Sequence, residues 1–172
     1  MKEIRFKQDY KYIIGVDPDL CKSGFAVYDT ERMELVECAS YEYEDLIEKL
    51  LVYKGLHSLI RLEAGWIVKK SNWQSRQAIS YNALKQSGLS PDAAWNKSCI
   101  IAQRQSKNVG ENHASGKLIQ RHLEKHGYQF ELVKPCGASS FFKDTVFFKK
   151  QTGWSKRTNN DARSAAALCY KY

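Results

Sequence analysis

No run of about 18 apolar residues occurs anywhere in the chain, so no helix is expected to cross a membrane. The opening Met1-Lys2-Glu3-Ile4 lacks the apolar core of a signal peptide, and the expectation is a cytoplasmic protein of a bacterium or a virus-infected cell. Cysteine is sparse and scattered. Cys21, Cys38, Cys99, Cys136 and Cys169 form no CxxC pair and leave an odd one over, which argues against a disulfide framework or a zinc site and for reduced thiols. No repeat, low-complexity tract or interdomain linker interrupts the sequence, so residues 1–172 read as one domain. Acid is scarce beyond residue 65. Residues 66–108 carry seven Lys/Arg against Asp92 alone, and residues 109–172 carry eleven against five, whereas residues 1–65 carry nine against thirteen. The net charge of +8 therefore comes from the later part of the chain, where it can form a surface that neutralises phosphates or simply a solvated basic face.

What is present is enough to fold: 43% of residues are hydrophobic and 27% charged, so a sizeable core can be buried. Tyr12 to Asp17 is a short apolar run closed by Pro18 and reads as a buried strand. Gly24–Asp29 and Met33–Ala39 follow as strands on short links that suit an antiparallel meander. Tyr43–Lys54 has helical spacing, with Leu46, Ile47, Leu50 and Leu51 on one face, and stops at Gly55. Leu59–Glu63 is a fourth strand. Residues 66–107 form a variable segment in which Trp66, Trp73, Tyr81 and Trp95 alternate with basic and amide side chains. Within it Ser90-Pro91-Asp92 suits a helix start. Val109–His126 reads as a helix, Tyr128–Val133 as a fifth strand, and Ser139–Lys150 and Thr158–Tyr170 as the closing helices. Strands and helices in that order make an α/β sheet with helices packed on it.

Three carboxylates fall in suggestive places. Asp17 ends the first strand and Glu63 the fourth, so both emerge at one sheet edge if those strands are parallel neighbours. Asp161 lies in the first turn of the last helix. Hard Mg²⁺ or Mn²⁺ ions take oxygen ligands, and two such ions about 4 Å apart can activate a water and stabilise the departing oxygen of a phosphodiester. Each acid also has a structural reading. Asp17-Pro18 suits a turn, Glu63 suits an ion pair with a lysine, and Thr158-Asn159-Asn160-Asp161 fits a capping box.

Several motifs, taken in order, carry a family likeness. Ile13-Ile14-Gly15-Val16-Asp17-Pro18 followed by Ser23-Gly24-Phe25-Ala26-Val27 resembles the opening of RuvC-like junction resolvases. Ile60-Arg61-Leu62-Glu63 resembles their second acidic strand, and Asn108 to Lys117 the helix start of small phage-type relatives. Thr152-Gly153-Trp154, Lys156-Arg157-Thr158-Asn159 and Asp161-Ala162-Arg163-Ser164-Ala165-Ala166 are similar to their closing helix. The likeness spans residues 12–170 apart from 67–107. It implies an RNase H-like fold, with a mixed five-stranded sheet of three antiparallel and two parallel strands flanked by helices. It also implies a homodimer that cuts branched double-stranded DNA with two Mg²⁺ or Mn²⁺ ions on Asp17, Glu63 and Asp161. Where the family usually has a second acid on the last helix, this chain has Ser164. Either three carboxylates suffice, with Ser164 bonding a metal-bound water, or the site is weakened. Trp66 falls where the family places an aromatic that stacks at the junction centre, the alternative being core packing. For Trp73 and Trp95, core packing is the favoured reading.

The expected phosphate contacts are Lys69, Lys70, Arg76, Lys156 and Arg157, with Lys117 near the metals. The other readings are a nuclease on another nucleic acid, such as an RNA hybrid, and a DNA-binding module that has lost catalysis. Gly110 to Lys117 is no P-loop, because the glycines are spaced wrongly and Leu118 stands where Ser or Thr is required; the two glycines suit close helix packing instead. His122 and His126, one turn apart, read as a solvated face and not a metal pair. Ile14-Gly15-Val16-Asp17 also opens actin-like ATPases and sugar kinases, but those need two such lobes.

Overall fold

The computed structural model describes residues 10–68, 73–135 and 142–170, with backbone alone at 73–76. Three strands, β1 (Tyr12–Asp17), β2 (Ser23–Asp29) and β3 (Glu34–Tyr41), pair antiparallel. β4 (Ser58–Glu63) and β5 (Phe130–Val133) add in parallel beside β1, giving the order β3-β2-β1-β4-β5. This is the mixed five-stranded α/β sheet that the resemblance implies.

The inner strands are apolar on both faces because both are covered. On one face α1 (Tyr43–Tyr53) buries Leu46 and Leu50. They join a core with Ile14, Val16, Phe25, Ile60 and Leu62. On the other face α4 (Thr145–Thr152) and α5 (Asn160–Cys169) close over Ile13, Ala26 and Tyr28, with Phe148, Ala162, Ala165 and Ala166 buried. Small residues let α5 lie very close to the sheet. A Cβ on Gly15 would run into the backbone carbonyl of Ala165, and one on Gly24 into that of Asp161. Glycine is needed at both positions so that helix backbone can rest on strand backbone. Arg61 ties the layers by pairing with Glu131 at 2.5 Å and donating to the Leu168 carbonyl.

The segment that resisted reading is a helical hairpin. α2 (Trp73–Gln86) runs antiparallel to α3 (Pro91–Lys125), which is one continuous 35-residue helix and not two pieces. At 1.5 Å per residue it is about 52 Å long. Ser90 caps it as expected, its hydroxyl accepting from the Ala93 amide. The second half of α3 inserts Ile119 and Leu123 into the sheet core. The first half packs on α2 through small residues such as Ala94 and Ser98. Trp95 is consequently 54% exposed and edge-on to Tyr81, which corrects its expected place in the core. The penultimate helix begins at Thr145 behind an Asp144 cap, later than the sequence suggested, and residues 136–141 lie outside the described region. Among the described residues no helix is long and apolar enough to cross a membrane, and Cys21, Cys38, Cys99 and Cys169 are free thiols.

Candidate active site

β1 and β4 are parallel, with Val16 opposite Leu62, so the next residues along, Asp17 and Glu63, leave the sheet side by side. The close seating of α5 on Gly24 brings Asp161 to the same edge. The turn and capping duties at this edge fall to other residues. Asp19 turns the chain after β1, its Oδ1 accepting from the Cys21 amide at 2.9 Å. Asn159, not Thr158, caps α5, its Oδ1 accepting from the Ala162 amide at 2.9 Å, so Asp161 is not part of a capping box. Glu63 forms no ion pair among the described residues.

Asp17 feels the other two carboxylates. Burial, followed by the charges of Glu63 and Asp161, pushes the Asp17 carboxyl up to about 7. Asp19 adds to that push, and the nearby Ser164 hydroxyl opposes it. Burial also raises Glu63. Burial raises Asp161 too, helped by Asp19 and resisted by Arg163. Such crowding of like charges in a desolvated place disfavours their ionised forms. As the side chains stand, among the described residues no three His, Cys, Asp or Glu groups converge as a metal-binding set. The acids therefore share an electrostatic field without closing on one point. The donor set still fits a hard cation, since all three are carboxylates at one sheet edge and mutual repulsion is what a divalent charge would relieve.

Beside them lies a cavity of about 160 Å³, lined by Asp17, Glu63, Gly65, Trp66, Asn112 and His113 among others. Its far wall is α3, which an interlock holds against the 3₁₀ turn Gly65–Ile67. A Cβ on Gly116 would strike the Trp66 ring, and one on Gly65 would lie 2.6 Å from His113 Nε2. Each glycine makes room for the other segment's ring, and the two rings meet edge-on at 6.1 Å. Gly116 thus packs closely as expected, whereas the Cβ position of Gly110 faces open space. Trp66 is half-buried against the sheet core and also lines the cavity, so it belongs to both fold and site.

The remaining expected residues are distributed differently. Ser164, three residues beyond Asp161 on α5, lies near enough to Asp17 for its hydroxyl to favour the ionised carboxylate. Lys117 is exposed on α3 and is not part of the cavity lining. Lys156 lies over the Trp154 ring and borders a hollow with Arg32, Glu34 and Leu35 at the start of β3, the opposite end of the sheet from the acids. Arg157 is exposed on the stretch leading into α5. Lys69, Lys70 and the Arg76 and Trp73 side chains lie outside the described residues. His122 and His126 stack on each other at 4.4 Å beside Tyr128. Sequence reasoning missed Asp19, Asn112 and His113. The Asn108–Lys117 motif held two of them, but only the fold shows which of its residues turn towards the acids.

No protein-family model matches the sequence, and no curated protein matches it. Among solved structures, T. thermophilus RuvC in complex with a Holliday junction substrate is similar over 92% of this chain and 90% of that one, with a TM-score of 0.45 and 8% identity. A likeness of that size carries no weight for the chemistry, which rests on the residues themselves.

Proposed function

We propose that the chain is a metal-dependent endonuclease that cuts phosphodiester bonds in branched DNA. One observation carries this reading: among the described residues Asp17, Glu63 and Asp161 take no turn, ion-pair or capping role, and they gather at one sheet edge beside an open cavity, where the other two charges raise Asp17. Asp17, Glu63 and Asp161 are the residues that would hold two Mg²⁺ or Mn²⁺ ions. Bound there, the ions would lower the pKa of the attacking water and neutralise charge on the leaving oxygen. The protein's own contributions are distinct. Ser164 favours the ionised Asp17 carboxylate, α5 carries Asp161 to the edge, and Trp66 walls the cavity that would admit the strand. The partly exposed indole can also stack on an unpaired base, which a branch point supplies. The basic charge beyond residue 65 suits phosphate contacts. Two copies of the chain would present two sites to a two-fold junction.

The acids' failure to converge, together with Ser164 where an acid is usual, favours a second reading, a DNA-binding module without catalysis. Labelled four-way, hybrid and linear substrates incubated with Mg²⁺ or Mn²⁺ separate the possibilities. The expected result is paired cuts in the four-way substrate alone. Cutting of the hybrid would move the substrate to RNA, and binding without cutting would leave the module.

A further inference from the structure

His113, on α3, lines the same cavity as Asp17 and Glu63. Its position is built with some care. Gly65 leaves the space its imidazole fills, and the Trp66 ring meets it edge-on. Among the described residues the imidazole has a ring contact and no hydrogen-bond partner. An imidazole carries at least one N–H, and here no group among the described residues takes it, so it is open to water and to a ligand acceptor entering the cavity. The cavity presents carboxylates, a pair of aromatic walls and the Asn112 amide. A phosphodiester entering it brings two non-bridging oxygens that need donors. The acids cannot supply them when ionised.

We propose that His113 contacts the substrate directly, its imidazole N–H donating to a non-bridging oxygen of the phosphodiester drawn into the cavity. This assignment rests on the nucleic-acid reading of the site. It gives His113 a role separate from metal holding: it fixes the phosphate in the cavity that Asp17 and Glu63 also line. A preorganised donor aimed at a phosphoryl oxygen accelerates reaction by positioning and by stabilising charge, at little reorganisation cost.

The test uses the full chain labelled with ¹⁵N-histidine, which gives ring signals from four histidines. The His113 signal is identified by its loss in His113→Gln. On addition of a four-way DNA junction without divalent ions, the His113 ring signal should shift while those of His122 and His126 stay. In a second arm, junctions carry a single Rp or Sp phosphorothioate at the bond that unmodified enzyme cuts. His113→Ala should cut the all-oxygen junction about a hundredfold to a thousandfold more slowly at saturating protein, the scale of one lost oxyanion donor. It should also lose the wild-type preference between the two sulfur isomers, and His113→Gln, which keeps a donor, should recover part of both. A melt shows whether either variant is merely unfolded. An unmoved His113 signal in a bound complex, or a slowed variant that keeps the wild-type isomer preference, overturns the proposal. If the junction binds and the signal shifts but nothing is cut, the contact stands and the nuclease reading falls. If no junction binds, both fall.

Discussion

At Asp17, burial and like charge act together, and they set a pH dependence that can be measured without any substrate. Its folded-state carboxyl is pushed up to about 7, far above the ordinary value of 3.8. Between those values the folded chain holds a proton that the unfolded chain has released. Stability from this group is therefore full below about pH 4 and is lost as pH rises through about 7. Asp17→Asn removes the loss. Without divalent ions the variant should be more stable than the parent at pH 8, by on the order of 2–4 kcal/mol, and the gap should close towards pH 4. Chemical denaturation at several pH values checks this, and an equal gap at pH 4 and 8 would show that Asp17 is not strained. Mg²⁺ should stabilise the parent at pH 8 and leave the variant unmoved. Trp66 gives a second test at this scale. The motif alone suggested a ring that acts on substrate and leaves the fold untouched. Its packing against the core and Gly116 implies instead that Trp66→Ala costs stability, roughly 2–4 kcal/mol for a half-buried indole. A melting temperature unchanged from the parent would return the ring to the substrate alone.

The elements explain why some of this was legible in the sequence and some was not. Asp17 and Glu63 could be read because each ends a short apolar run, and strand ends put side chains at a sheet edge. The antiparallel pairing of the first three strands followed from their short links, whereas the two parallel strands beside β1 were implied by the family resemblance. The α2–α3 hairpin could not be read, because it packs mainly on itself. Its seam is narrow and built from small residues such as Ala94 and Ser98, while Ile79, Trp95 and Ile100 stay exposed, so the apolar periodicity that signals a helix is faint. His113 was illegible for a different reason: its place depends on Gly65, far away in sequence, leaving it room. The seating of α5 yields the element-scale prediction. A Cβ on Gly24 meets the Asp161 backbone, which cannot rotate away, so α5 must shift. Gly24→Ala should cost about 1–3 kcal/mol or more and should reduce cleavage further than stability alone explains, since Asp161 rides on α5. Gly110→Ala, which meets open space within the helix, is the control and should be neutral or mildly stabilising. Equal behaviour of the two variants would detach the site from the helix seating.

Across the whole molecule the charge is divided, with an acidic first third that ends at the carboxylate edge and a basic remainder. Binding to four-way DNA should weaken steeply with salt as counterions are released, by about 0.9 in the log–log slope for each phosphate neutralised. Replacing Lys156 and Arg157 together by alanine should flatten that slope by one to two contacts. An unchanged slope would move the DNA surface to other exposed lysines and arginines, of which Lys97, Arg104 and Lys107 share one side of α3. The proposed metal-ion chemistry at the acidic edge would be separable from this binding, because phosphate contacts would hold the substrate whether or not it is cut. The most direct measurement is therefore paired cleavage and binding of one labelled four-way junction by the parent and by Glu63→Gln in Mg²⁺ or Mn²⁺. The account predicts that the parent cuts, and that the variant binds within a few-fold of the parent but does not cut. A Glu63→Gln protein that cuts at close to the parent rate would contradict it.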